Sequence, residues 1–555
     1  MKGPLIMMLM LTLWACKLSA QDLAPVTSAI LLKGGVVTPS PTQTKQVQSI
    51  LIRDGVITAT NVADAPYDAR VIELDSMYVY PGFIAAASHA GITKPKEGDR
   101  PEVASPGSPP NDVAGITPEK PLSESYSISE GSIEAMRKQG FTISHSIPYG
   151  RMLPGQTAII SLSGEDYPEV VLKDNHATWL QMKGSRGMFP STEIGVMARW
   201  RDLVNNAKIQ SSYEQTYAAR PQNRKRPKPT PAVDALKLAS AGKAPVYQLA
   251  EKHTHVSRAI HLSQELGYHL VIAEARRPDM SIDQIKSSGT TVLATLDLPE
   301  EFSIEQDSTA EEDKTWKDIE REEMMQKKKV SVDNHVAAAS ALALAGIPVS
   351  FSYLEAKPKD IHPAVRRMIA GGLSEEDALA ALTTVPAKTL GIEGVAGTIA
   401  NGKMANIVVM TGPIFDEKSK VKMVIIDGQI FEYETKEKKK TNGEAPAVAI
   451  EGDYTFVIEV PGLEPSGTVN ITKNDDNTYN LTLTNSAVPG KEILVEGVEL
   501  DGDNMTYSYQ VNVQGMNATI DTDVNYDESS FEGTVDVGSF GTYTIKGERV
   551  STPQQ

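Results

Sequence analysis

The chain has a single cysteine among 555 residues, and it lies at position 16. The body beyond it therefore carries no disulfide and no thiolate for metal ligation or nucleophilic attack. Positive charge is also short. Lys and Arg number 54 against 71 Asp and Glu, for a net charge of −17. Phosphate backbones require basic patches, so this balance argues against a nucleic-acid-binding class. No apolar run is long enough to cross a bilayer. There is no Gly-rich phosphate loop and no Gly-x-Ser-x-Gly elbow. What remains is 40% apolar and 23% charged, which suffices to bury full cores in two or three domains.

The first residues read as a targeting segment. Lys2 supplies the positive charge, and Leu5 to Ala15 form an apolar core too short to span a membrane. Two processing sites fit. Leu18-Ser19-Ala20 ends in small residues, as a cleaved secretory signal does, whereas Leu13-Trp14-Ala15-Cys16 is similar to a bacterial lipobox whose cysteine is acylated. The chain is expected to be exported, either periplasmic or anchored to a bacterial membrane through Cys16.

Both ends of the body carry short strand signals. Ile30-Leu-Leu-Lys-Gly-Gly-Val-Val, Gln48-Ser-Ile-Leu-Ile-Arg and Arg70-Val-Ile-Glu-Leu are separated by Gly, Asp and Pro. Ala405-Asn-Ile-Val-Val-Met and Lys422-Met-Val-Ile-Ile-Asp-Gly repeat the style. Between them, helical patterns alternate with apolar runs. These runs are Phe141-Thr-Ile-Ser-His, Tyr268-His-Leu-Val-Ile-Ala, Thr290-Thr-Val-Leu-Ala-Thr-Leu and Ile347-Pro-Val-Ser-Phe-Ser. Such alternation implies a parallel sheet with crossover helices, and by itself leaves a barrel and a doubly wound sheet both open. Two polar insertions interrupt it. Residues 219–231 are basic and Pro-rich, hence a loop, and residues 308–329 form a mixed-charge run expected as an exposed helix. Residues 434–449 read as a linker. Beyond them, alternating runs such as Met505, Tyr507, Tyr509, Val511 and Val513 predict an antiparallel barrel or sandwich over 450–552.

One stretch organises the rest: Asp75-Ser-Met-Tyr-Val-Tyr-Pro-Gly-Phe-Ile-Ala-Ala-Ala-Ser-His89. It resembles the signature of the amidohydrolase superfamily, in which Pro-Gly-Phe-Ile precedes Asp-x-His-x-His. Ala381-Leu-Thr-Thr-Val-Pro-Ala-Lys-Thr-Leu-Gly-Ile and Gly397-Thr-Ile-Ala-Asn-Gly-Lys-Met-Ala-Asn-Ile-Val-Val resemble the family as well. The chain is most similar to the imidazolonepropionase-like group of exported amidohydrolases. The resemblance implies an α/β fold: a (β/α)8 TIM-like barrel over 81–387 and a composite β-sandwich domain from 28–80 and 388–433. With these go the C-terminal antiparallel β-domain, the linker and a signal peptide over 1–20, or a lipoprotein signal to 15.

The resemblance also implies hydrolysis of carbon–nitrogen bonds by a metal-bound hydroxide, held by side chains at the barrel strand ends. Residue by residue, that site is dismantled. Ala85 takes the Asp place and Ala87 the first His place, and only His89 survives. Leu249 and Glu251 stand where fifth-strand histidines would be, Glu274 replaces the sixth-strand His, and Leu354 replaces the catalytic Asp. Leu354 cannot transfer a proton. The expectation is a pseudoenzyme without a cofactor, binding a small amide or cyclic ligand or pairing with an active relative. The alternative is a rearranged zinc site of His89, His145 and Glu274. His253-Thr-His255 opens a helix, where adjacent-but-one residues do not face one way. Ser144 and Ser146 flank His145 without an elbow motif.

Overall fold

The computed structural model describes residues 29–43, 46–95, 103–128, 131–164, 166–304 and 315–433 of the body. C-terminally it describes 450–460, 465–474, 479–486, 492–495, 498–501, 503–513, 516–527, 529–537 and 542–550. The expected leader with Cys16 and the expected linker lie outside these residues. The chain divides into two compact units, Met1–Thr435 and Lys436–Gln555.

The first unit opens with β1 (Ile30–Val37), β2 (Gln46–Arg53), β3 (Val56–Thr60), β4 (Arg70–Glu73) and β5 (Tyr78–Pro81). Eight barrel strands follow. They are β6 (Phe83–Ser88), β7 (Phe141–Ser146), β8 (Ala158–Ser161), β10 (Thr178–Leu180), β11 (Pro245–Leu249), β12 (His269–Ala275), β13 (Thr291–Thr295) and β14 (Val349–Ser352), with the short β9 (Val171–Lys173) beside β8. The unit closes with β15 (Ile407–Met410), β16 (Val421–Ile426) and β17 (Gln429–Glu432).

The two ends join in one sheet, ordered β17-β16-β15-β5-β1-β2-β3, with β4 paired to β1. Its buried residues come from both ends, among them Ile50, Ile52, Ile57, Ile407 and Ile425. The chain passes from this sheet into the barrel at Gly82. A Cβ there would lie 2.4 Å from the Thr142 hydroxyl oxygen, so only glycine lets β6 start this close to β7.

In the barrel, β10 to β14 run parallel in sequence order, and β6 pairs β7 in parallel. β8 departs from the all-parallel expectation, because it pairs antiparallel with β7. Residues 147–157 connect the two strands without a helix, so the chain turns back beside β7 and does not cross over. Backbone hydrogen bonds close the two seams: Thr157 N to Ala177 O at 3.2 Å, and Tyr353 N to Ala87 O at 2.8 Å. One apolar cluster fills the lumen, drawing Ile84, Ala86, Ile143, Ile159, Trp179, Tyr247, Val271 and Leu293 from seven strands.

The mixed-charge run and the Ala-rich segment after it, expected as two helices, form one helix, Trp316–Leu344. No Gly or Pro separates them, and a Thr315–Asp318 capping box sets the start. The second unit is a nine-stranded antiparallel sheet from β18 (Gly452–Glu459) to β26 (Thr542–Arg549), in which these first and last strands pair. Tyr454, Phe456 and Ile458 alternate inward along β18, as a half-buried strand requires. Met505, Tyr507 and Tyr509 face the same core, while the side chains of Val511 and Val513 lie outside the described set. No described helix is long and apolar enough to cross a membrane.

Candidate functional site

Active sites of such barrels sit at the C-terminal ends of the strands. Here those ends are largely apolar. Ala87 near the end of β6, Leu249 at the end of β11, Ala273 in β12 and Leu354 just past β14 pack into the one lumen cluster. Ala87 is fully buried, Leu249 nearly so, and Leu354 partly. Burying a leucine side chain stabilises a fold by roughly 1.5–3 kcal/mol, so these positions contribute to cohesion.

His89 sits at the rim of this cluster. Its Nδ1 lies 2.7 Å from the Ile147 carbonyl oxygen, which can only accept, so Nδ1 carries the proton. The ring stacks on Tyr149, with centroids 3.7 Å apart and planes at 22°. Burial, with Lys94 nearby, pushes its pKa down to about 4 against the opposing carbonyl bond, so the ring is neutral at pH 7.

His145 on β7 is fully buried and engaged at both nitrogens. Nδ1 donates to Ala86 O at 2.9 Å, and Nε2 pairs with the Thr157 hydroxyl at 2.7 Å. Burial pushes it down to about 4 as well. Ser144 and Ser146 do not touch its nitrogens. They form a hydroxyl chain instead, Ser88 to Ser144 at 2.7 Å and Ser144 to Ser146 at 3.0 Å. His145 meets a residue that the sequence did not mark. His176, just before β10, stands edge-on to it at 5.1 Å between centroids. Neither ring nitrogen of His176 has a partner, nor does the buried Tyr247 hydroxyl, whose ring stands 4.5 Å from that of His145. Burial, then His145 and Lys173, push His176 down to about 2. No spacing pattern around Asn175-His176-Ala177 could have pointed to it.

Glu274 lies on β12 where the pairing to β13 slips between Ile272 and Ala275, and it takes a left-handed φ of 54°. Non-Gly residues adopt that conformation only when their surroundings hold them there. Its side chain is fully buried. Oε1 accepts from the Thr295 hydroxyl, and Oε2 has no hydrogen-bond partner. Ser352, whose hydroxyl is also without one, adjoins the same carboxyl. Burial raises the Glu274 pKa to about 7, and Glu355 adds to this, while Ser352, Thr295 and Arg276 oppose it.

His255 is bonded to Glu193 at 3.1 Å, and Lys252 and Arg258 reach the same carboxylate. This ties the start of helix His253–Leu266 to the start of helix Glu193–Ala219 and leaves His253 exposed. The pair does not converge on a common point.

Residues 230–431 match the sequence model of the amidohydrolase family. An amidohydrolase from Thermotoga maritima MSB8 superposes with a TM-score of 0.59 at 22% identity, over 73% of this chain and 100% of that one. Residues 230–431 therefore carry the sequence pattern of the amidohydrolase family, and the barrel body has the fold of that amidohydrolase. A Xaa-Pro dipeptidase with bound methionine matches over the same share of this chain and all of its own, at 14% identity and a TM-score of 0.42. Phenylurea hydrolase B matches over 73% of this chain and 96% of its own, at 12% identity and a TM-score of 0.41. No curated protein matches the chain by sequence.

By family, amidohydrolases act on carbon–nitrogen bonds with a metal held at the barrel mouth. An open metal site takes about three protein ligands. Ala87, Leu249 and Leu354 offer no donor atom, and they pack on one another's cluster. Among the described residues, no three His, Cys, Asp or Glu side chains are grouped to hold an ion. His89, His145 and Glu274 thus do not converge: His89 binds the Ile147 carbonyl, His145 spends both nitrogens within the lumen, and Glu274 is held by Thr295. The residues present do not fit the family's metal.

Proposed function

We propose that the chain is a pseudoenzyme, nearest the imidazolonepropionase-like exported group, which binds a small amide or cyclic ligand at the barrel mouth without metal-dependent hydrolysis. The observation that carries this reading is the packing of Ala87, Leu249 and Leu354 into one apolar cluster. Three positions where ligands or a catalytic acid would be needed serve cohesion instead. Glu274 and Ser352 supply polar groups beside that cluster to orient a guest, as small-molecule sites do with a few convergent polar atoms. The N-terminal segment supports export, with acylation at Cys16 or cleavage after Ala20 as its two outcomes. The test is metal content of the purified mature protein, by mass spectrometry after zinc loading and desalting. The reading expects no stoichiometric metal. About one bound metal per chain, lost in His89→Ala, would overturn it.

A second reading keeps a hydrolase with a rearranged site, and one observation favours it. Glu274 has a pKa raised to about 7 and an oxygen without a partner, which suits a general base at neutral pH. This version works without metal. A measured amide turnover that vanishes in Glu274→Gln while the fold is retained would establish it, and a turnover unchanged in that variant would remove it.

A further inference from the structure

The family reading leaves the basic, Pro-rich loop unused. It follows helix Glu193–Ala219 and holds Arg220, Arg224, Lys225, Arg226 and Lys228, with no acidic residue among them. All five are exposed, and none makes an ion pair among the described residues. The nearest carboxylates in the chain, Glu214 and Asp234, are both taken by Lys237. The loop has a defined form. The Tyr213 hydroxyl donates to the Lys225 carbonyl at 2.6 Å, and the Arg224 guanidinium donates to the Arg220 carbonyl. Pro221, Pro227, Pro229 and Pro231 restrict the backbone. A cation cluster without ion-pair partners, in a chain of net charge −17, repels itself.

The helix that leads into the loop turns two apolar side chains to solvent. Ile209 is 67% exposed and Tyr213, one turn on, 39%. An exposed aliphatic group beside a tyrosine, under a rim of arginine and lysine, is the composition that sits at a lipid headgroup boundary. We propose that this loop, with Ile209 and Tyr213, is a peripheral docking surface for anionic phospholipid headgroups. Three of the five cations are arginines, whose forked donors match phosphate oxygens in pairs. The apolar pair favours a membrane surface over a soluble polyanion, which offers nothing for Ile209 to enter.

The experiment is co-sedimentation of the full chain with vesicles of phosphatidylcholine holding about 30% phosphatidylglycerol, against pure phosphatidylcholine. Binding is expected only to the anionic vesicles at about 50 mM salt, with release near 0.5 M, where screening shortens to a few ångströms. Each cation near such a surface is worth roughly five-fold in partitioning, so replacing all five with Gln should reduce it more than about 100-fold. Ile209→Ser, at a solvent-facing site, should weaken binding by a few-fold at every salt concentration. Equal binding of parent and five-Gln variant would overturn the proposal. So would no binding by the parent, or binding of heparin without binding of vesicles.

Discussion

Glu274→Gln tests the physical account of the barrel mouth most directly. The folded carboxyl has a pKa of about 7 against a usual value of 4.5, because burial removes water that an ionised carboxylate needs. A group raised in this way favours the folded state fully below about pH 4.5, and that contribution is lost as pH climbs through about 7. The separation corresponds to about 3 kcal/mol at pH 8. Gln retains an oxygen for the Thr295 hydroxyl but cannot ionise. The variant should therefore exceed the parent by about 3 kcal/mol at pH 8 and by less than about 1 kcal/mol at pH 5. The assay is chemical unfolding followed by tryptophan fluorescence. All four tryptophans precede residue 436, so the signal reports the first unit and not the second. The histidines with lowered pKa values contribute below about pH 6.5 and are common to both proteins, so the difference between variant and parent isolates Glu274. Parallel stability curves from pH 5 to 8 would refute the reasoning.

Three other substitutions probe the same region. His145→Ala removes the partner of both Ala86 O and Thr157 Oγ1 and should cost about 3 kcal/mol in the same unfolding assay; a loss under about 1 kcal/mol would mean that those bonds are not formed. His176 has its pKa pushed down to about 2, so its neutral form favours folding above about pH 6.5, and that contribution is lost progressively as pH falls. His176→Phe should then shift the midpoint of acid unfolding to lower pH, and an unmoved midpoint would contradict the burial of that ring. Leu249→Asp places an unpaired charge in the lumen cluster and should destabilise the first unit by about 3–5 kcal/mol. The same variant with near-parent stability would indicate that water reaches the barrel mouth.

Much of the fold was legible because its signals are local. Strand-like runs at both ends and the alternation between them each depend on a few neighbouring residues, and the structure realises both. The substitutions at Ala87, Leu249 and Leu354 were legible too, because a missing donor atom is a property of the side chain itself. Three-dimensional contacts decided the rest. The sequence placed His145 near His89, yet the two rings take different partners 58 and 59 residues away in the chain, which no pattern encodes. The antiparallel direction of β8 was not legible, because a strand's direction is set by the connection and the edge it meets. Glu274 was visible only as an odd ligand position. Its left-handed backbone, its orphan oxygen and its raised pKa come from the register slip and from Thr295, Ser352 and the surrounding apolar wall. Residue types, then, determined that Ala87, Leu249 and Leu354 offer no donor atom to a metal. Packing alone decided which polar groups were left buried and without partners, because desolvation depends on neighbours that are distant in the chain.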